Sequence, residues 1–484
     1  MSGIPPSSGL EIERVINGGF CVGCGACAVL DASPMRISLN AYGQYQALPV
    51  RTLTAAESPS SVSRVCPFSN NIPNEDDIAE RLFGKHCGHH PRIGYHLKCY
   101  AGYVVEEDFH AMGSSGGLGS WLAVELLRRR MIDAVIHVQP RTHANPAEPL
   151  FKMTISRSED EVRRGAKSRY YPVEMSEVLM DMKSTPGRYA LVGLPCFIKA
   201  ARLLASEDPV FRERLAFCIG LVCGHLKSSR FTDMLSWQMG VPPGELLAID
   251  YRHKLPGCTA DQYGIAITGS AKPEVRHIKP SNQYYGYNWG YGLFQYNACN
   301  YCDDVVAETA DVVLGDAWLS RYSHTGAGTN VVVVRNGEVA GLLREAATKQ
   351  RIRVEAISAG DVVMSQDAGL RHRREGLAYR LYLKDIRGEW RPNKRVTASH
   401  AHLDDRTKRK LELRMVLSAR SHEAFEEALT AGELGVFKAL MDPHIAAYEA
   451  LYKRGVWHRV AGRVLNGLGR VRARVRRFLH HEKR

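Results

Sequence analysis

The residues best suited to chemistry are cysteines, of which the chain has twelve. Cys21, Cys24 and Cys27 stand at C-x2-C-x2-C in FCVGCGACAVL, and Cys66 follows with Pro67 directly after it. Tight turns bring three thiolates at this spacing to a common centre, and Gly23 and Gly25 give the backbone room for such turns. A distant Cys-Pro supplies a fourth sulfur. This is a ligand pattern for a [4Fe–4S] cubane. No second close triplet is present, so Cys66 is expected to close the same cubane. A structural zinc site would use paired C-x2-C knuckles, for which the third cysteine is one too many. Disulfides fit poorly. The opening MSGIPPSSGLEIERVINGGF has no basic head followed by an apolar stretch, and a chain without an export signal stays where thiols are reduced.

Four further cysteines sit in loop-like settings. Cys196 follows an apolar run in YALVGLPCFIKAARLL, Cys223 ends another in CIGLVCGH, and Cys299 and Cys302 form C-N-Y-C ahead of Asp303 and Asp304. Open α/β folds place their chemistry at the C-terminal ends of strands, so these four are able to converge on a second cubane. Cys218 lies inside an apolar run and reads as a buried, inert thiol. Cys258 reads as structural or incidental. Cys87 and Cys99 lack ligand spacing, though either is able to approach a cluster.

Three polar segments are candidates for cofactor contacts. Gly113, Ser114, Ser115, Gly116 and Gly117 precede the helical run LGSWLAVELLRRR. Small residues at such a junction expose backbone N–H groups to a phosphate, although Ser and Gly also cap ordinary helices. The segment is neither G-x-G-x-x-G nor a Walker motif, which argues against a standard NAD or ATP fold. GAKSRYYPV offers Lys167, Ser168, Arg169 and Tyr170 as phosphate-pairing charges and a ring, or else is a solvated loop. Gly328, Thr329 and Asn330 form a small polar head on a valine run. The aromatic stretch QYYGYNWGYGLFQY (283–296) either lines a planar cofactor or shields a cluster from water.

The elements that must hold these residues are those of a mixed chain. Residues 1–70 form a small cysteine-bearing module and 71–100 a bridge. A larger α/β region spans 101–370, and 371–484 turns helical and Arg-rich. Strands are expected at Ala134–Val138, Arg188–Val192 and Asp311–Leu314, and helices at Trp121–Arg130 and Glu177–Ser184. AGTNVVVVRNGE reads as a strand followed by an Asn-Gly turn. Apolar content of 45%, charged content of 24% and mean hydropathy of -0.25 are those of a globular protein, with no run of 18 apolar residues to span a bilayer. The net charge is +13, but Leu451–Arg484 alone holds eleven Lys/Arg against one Glu. The remainder is nearly balanced, so basicity does not argue for nucleic-acid binding.

These motifs resemble the family of the beta subunit of coenzyme F420-reducing hydrogenase and related dehydrogenases. That family includes 7-hydroxymethyl chlorophyll a reductase and ferredoxin-dependent divinyl chlorophyllide reductase. The resemblance runs over about residues 15–370. It rests on CVGCGAC with a later Cys-Pro, GSSGG, GAKSRYYPV, VGLPCFIKAARLL, GLVCGH and CNYCDDVVAETADVVLGDAW. It implies a ferredoxin-like module followed by a mixed α/β flavin-binding domain. It also implies FAD near Ser114–Gly117, Lys167 and Gly328–Asn330, and a second [4Fe–4S] cluster on Cys196, Cys223, Cys299 and Cys302. Two departures stand out. Gly193-Leu194-Pro195-Cys196-Phe197 replaces the usual Gly-Thr-Pro-Cys-Gln, and Gly165–Tyr170 carries an apparent insertion.

The function expected from all this is reduction of an organic substrate by ferredoxin through two clusters and FAD, since a flavin converts between one- and two-electron chemistry. An electron-transfer subunit acting on coenzyme F420 within a larger complex, and a non-catalytic cluster-bearing scaffold, are the alternatives. His225, Asp303 and Asp316 are the acid–base candidates. Trp457, Val460, Val464, Leu468, Val471, Val475 and Phe478 recur at helical spacing with arginines largely off the stripe. Such a tail suits an anionic membrane surface or an acidic partner. The expected location is the cytoplasm, with peripheral contact at the inner face of the membrane as the further option.

Overall fold

The computed structural model describes residues 11–50, 60–141, 148–273 and 275–452. The Arg-rich amphipathic run from Trp457 onward lies outside the described residues. Among those described, no helix is long and apolar enough to cross a membrane.

The largest element is an eight-stranded sheet built from β1 (Lys98–Val104), β2 (Ala134–Pro140), β3 (Phe151–Ser156), β4 (Tyr189–Gly193), β5 (Leu215–Leu221), β6 (Val312–Asp316), β7 (Asn330–Val334) and β8 (Ile352–Ile357). Their order across the sheet is β8-β1-β7-β6-β5-β4-β2-β3. The central strands β2, β4, β5 and β6 pair in parallel, while β3, β7, β1 and β8 add antiparallel neighbours on the two sides. Continuous apolar runs explain the middle. Val331–Val334 and Tyr189–Leu191 are buried on both faces, as strands covered by helices on either side must be. The expected strands at 134, 188 and 311 and helices at 121 and 177 are present with shifted ends. The helices run Leu118–Arg128 and Ser176–Ser184.

One local expectation fails. Asn336-Gly337 does not turn β7 back as a hairpin. The Asn336 side chain accepts from the N–H groups of Glu338 and Val339 and caps the helix Gly337–Thr348. The competing helix won because VAGLLREAA repeats apolar residues every three or four positions, and Asn is a strong helix cap. Asn336→Ala is therefore expected to cost about 1 kcal/mol, read as a lowered thermal midpoint with the fold retained.

Before the sheet lies a hairpin, Met35–Leu39 with Tyr45–Pro49, flanked by the helices Glu11–Asn17 and Ser60–Arg64. The stretch 71–100 carries the helix Glu75–Phe83, the small hairpin Gly88–His90/Gly94–His96, and the start of β1. Between β5 and β6 is a three-stranded antiparallel sheet of Leu246–His253, Gly264–Gly269 and His277–Pro280. The chain then turns helical, as its sequence indicates: Asp367–Arg373, Glu375–Ile386, Asp405–Ala431 and Leu434–Ala450. The last two form a helical hairpin that closes over the aromatic loop. Phe294 meets Phe425 and Phe437, each at 5.5 Å, and its N–H donates to Ser421 Oγ at 2.8 Å.

Candidate functional site

The second cysteine set sits at the C-terminal ends of the parallel strands, with the first set beside it. Cys21, Cys24, Cys27 and Cys66 line one void together with Ile12, Val15, Phe20 and Phe68. Burial pushes all four thiols up, Cys66 to about 11. The backbone N–H groups of Gly23 and Ala47 donate to Cys21 Sγ at 3.4 and 3.3 Å. Cys21 and Cys66 are half-buried, whereas Cys24 and Cys27 are buried.

The second set draws on three elements. Cys196 opens the helix Pro195–Glu207 directly after β4, Cys223 lies two residues past β5, and Cys299 and Cys302 belong to the turn before β6. After burial, the largest influences on the Cys196 thiol are Cys302, Cys223 and Cys299, all of which raise its pKa. Burial likewise raises Cys223 to about 11 and Cys299 to about 12. The Leu226 N–H donates to Cys299 Sγ at 3.2 Å, and Arg373 Nη2 lies 3.5 Å from Cys223 Sγ.

All twelve cysteines are free. Among the described residues no three Cys, His, Asp or Glu side chains close on one point as a single ion requires. A four-iron cluster is a larger body, held by thiolates spaced around it and tuned by N–H···S contacts. The first set, arranged around a void, fits that body better than it fits zinc, and both sets receive N–H donors.

The two sets are neighbours. Cys196 also feels Cys24 of the first set. Tyr296 is buried, and its phenol is raised by burial and then by Cys21 and Cys299, one from each set. Its hydroxyl accepts the Tyr45 N–H at 2.8 Å.

The polar segments form a cradle beside the second set. Ser115 Oγ donates to Thr329 O at 3.0 Å, the Leu118 N–H to Asn330 Oδ1 at 3.1 Å, and the Ser168 N–H to Ser114 Oγ at 2.8 Å. A Cβ on Gly116 would lie 2.5 Å from Gly102 O and 2.9 Å from Asn330 N. A Cβ on Gly328 (φ +85°) would lie 2.7 Å from Ser115 Cα. Both approaches admit only glycine. Lys167 holds a left-handed backbone at φ +99°, strain of a kind that concentrates at ligand sites. Its ammonium pairs with Asp250 at 3.4 Å. Arg169 instead lies over the Phe151 ring at 4.9 Å and donates to Ala166 O.

Of the acid–base candidates, Asp316 ends β6 at the cradle and pairs with Arg252 at 3.0 Å. Arg252 also reaches the Tyr170 hydroxyl at 3.3 Å. Asp303 is elsewhere, buried between Lys394 and Arg395, which hold its carboxyl well below the usual range against the cost of burial. His225 meets the Trp289 ring at a tilt, centroids 4.4 Å apart, and Trp289 meets Tyr170 edge to face at 4.8 Å. Burial, with Lys227, Arg414 and Arg373 nearby, drives the His225 pKa well down, so the ring is neutral. The aromatic loop thus stands between the second set and the cradle.

Several residues at the site are not marked by any motif. Arg252 and Lys254 come from YRHKLPG, a basic pair at a Pro-Gly turn. Lys254 Nζ donates to His110 O at 2.6 Å and Ser115 O at 3.2 Å. His110 Nε2 lies 2.8 Å from Gly328 O, and Arg252 faces the half-exposed Trp318. The Leu-Pro-Gly after a basic strand end was the available signal. Arg373 carries none, because its partner Cys223 is far away in sequence.

The chain matches two models of one family. Residues 99–180 match the N-terminal part, and residues 187–360 the C terminus, of the family described as coenzyme F420 hydrogenase/dehydrogenase, beta subunit. A curated relative, the F subunit of the F(420)H(2) dehydrogenase of Methanosarcina mazei, is 23% identical over 336 residues, covering 66% of this chain and 83% of its own. A solved structure of the F420-reducing [NiFe] hydrogenase complex from Methanosarcina barkeri, derivatised with xenon, contains a chain similar at TM-score 0.46 and 15% identity. That match covers 62% of this chain and 95% of the other.

Proposed function

The chain belongs to the family of the coenzyme F420 hydrogenase/dehydrogenase beta subunit, and from that premise we propose that it is an iron–sulfur flavoprotein oxidoreductase. A one-electron carrier meets it at the first cysteine set, and an organic partner exchanges two electrons at the cradle. Cys21, Cys24, Cys27 and Cys66 would hold one [4Fe–4S] cluster, and Cys196, Cys223, Cys299 and Cys302 the other. Ser114–Gly117, Lys167 and Gly328–Asn330 would hold FAD. Bound there, the clusters supply single-electron steps and the flavin joins them to two-electron chemistry.

The observation that carries this reading is the continuous contact from one set to the cradle. His225 meets the Trp289 ring at a tilt and Trp289 meets Tyr170 edge to face, with Tyr296 bearing on Cys21 and Cys299. The chain's own residues have distinct tasks. Trp289 and Tyr296 keep water from the space between the sets and the cradle. Arg252 fixes the Tyr170 hydroxyl and is itself held by Asp316. Lys254 and Lys167 put positive charge where an anionic ligand would lie. The half-burial of Cys21 and Cys66 supports that end as the port for a protein carrier such as ferredoxin. The family and the relative's name support coenzyme F420 as the organic partner. The departures at Gly193–Phe197 and Gly165–Tyr170, both close to the second set and the cradle, favour a second reading with another unsaturated substrate. Free thiols at all twelve cysteines support a cytoplasmic location.

Burial and the nearby charges of Lys167 and Arg252 lower Lys254 to about 8. As pH rises through that value the cradle loses a positive charge. Flavin affinity is therefore expected to fall between pH 7 and 9, measured by fluorescence titration of the flavin-depleted protein, and Lys254→Gln is expected to flatten the profile.

The test of function is anaerobic turnover with reduced F420 and reduced ferredoxin in parallel, followed by flavin bleaching. Bleaching by either supports the oxidoreductase reading, and the faster one names the partner. No bleaching by either leaves a cluster-bearing scaffold as the better account.

A further inference from the structure

Six basic side chains crowd one side of the second cysteine set: His225, Lys227, His372, Arg373, Arg380 and Arg414. Four of them come from helices beyond residue 360, where the family match ends. Arg373 is buried, and its Nη2 donates to Gly224 O at 2.7 Å and Cys223 O at 3.2 Å beside the Cys223 sulfur. Arg380, also fully buried, donates to Asn300 O and His372 O. Arg414 Nη2 reaches Gln295 Oε1 at 3.4 Å. Lys227 Nζ is spent on the Leu293 carbonyl.

Among the described residues none of Lys227, Arg373, Arg380 and Arg414 forms an ion pair. The adjacent Arg371 and Arg374 do, with Asp367 and Glu308. Nε of Arg373 and Arg414, Nη1 of Arg380 and Nε2 of His225 and His372 are buried without hydrogen-bond partners. The two histidines aside, positive charges buried together without a counterion are strongly unfavourable. The missing anion has one place to be: a cluster held by four thiolates is net negative, and Arg373 Nη2 lies 3.5 Å from the Cys223 sulfur. The first set is different. Its void is lined by apolar residues and backbone, with no Lys, Arg or His among the described lining.

We propose that the helices spanning 367–431 supply a fixed cationic shell that raises the reduction potential of the second cluster above that of the first. Reduction adds a negative charge, which neighbouring positive charge stabilises. An electron lost by the reduced first cluster is then gained, downhill, by the oxidised second. Arg380 and Arg414 are positioning residues in this scheme. The inference rests on the two-cluster reading of the proposed function.

The experiment is a redox titration followed by electron paramagnetic resonance on the anaerobic full-length chain, with Arg414→Gln, Arg380→Gln, Arg414→Lys and Cys299→Ala beside the wild type. The expected wild type has two midpoints, and Cys299→Ala removes the higher one. Arg414→Gln and Arg380→Gln lower that midpoint, by about tenfold in oxidised-to-reduced ratio at fixed potential, or about 59 mV for one electron. They leave the lower midpoint in place, and Arg414→Lys restores the higher. The shell is overturned if Cys299→Ala removes the lower midpoint, or if the neutral variants move neither midpoint. Should neither neutral variant fold, the Cys299→Ala assignment alone decides. A wild type with iron for one cluster would instead overturn the two-cluster reading itself.

Discussion

Cys299→Ala is expected to halve bound iron and sulfide, from about eight to about four of each per chain, and to reduce electron transfer between the two ends of the molecule more than about 100-fold, the scale already reached when only an outer partner of a metal site is lost. Cys299 is buried, and its sulfur accepts the Leu226 N–H. Cys218, the other buried thiol of the neighbouring strand, faces the Arg202–Asp311 pair instead. Cys218→Ala is the matched control. It should retain full iron and cost on the order of 1 kcal/mol for a small cavity. Iron and acid-labile sulfide assays on both variants separate a ligand from a core cysteine.

Gly116→Val carries the second large effect. Any Cβ there meets Gly102 O, Asn330 Oδ1 and Asn330 N, all within 2.9 Å, so β1 and β7 must part or the loop must move. The cost is about 1–3 kcal/mol in stability. Flavin retention should fall at least about tenfold, because moving Asn330 also disturbs its bond to the Leu118 N–H and 1.4 kcal/mol is already a tenfold change in affinity. Gly119, the second residue of the following helix, has nothing within 4 Å of an added Cβ. Gly119→Ala should keep its flavin and gain roughly 0.5–1 kcal/mol. Flavin released per chain, with thermal melts of both variants, measures the contrast.

How much of this was legible in sequence depended on distance along the chain. Cys21, Cys24 and Cys27 announce themselves because their geometry is local. Cys196 and Cys223 were readable because each ends an apolar strand, and parallel strands deliver their ends to one edge. Asn336-Gly337 misled because the dipeptide serves a hairpin or a helix cap equally well, and only the residues after it decide. Arg252, Lys254 and Arg373 were missed because their partners are 64 residues or more away, as with Arg252 and Asp316, and a single sequence carries no trace of such pairings. The helices after 370 were visible as helices. That three of their arginines turn inward to face the second set was not, since Arg normally marks a solvated face.

The most direct test of the account is the composition of the anaerobically purified full-length chain, with iron, acid-labile sulfide and released flavin measured on one sample. About eight iron, about eight sulfide and one FAD per chain are expected, the content of two cubanes beside one flavin site. Zinc in place of iron and sulfide, or iron and sulfide for one cluster with no flavin bound, would contradict it.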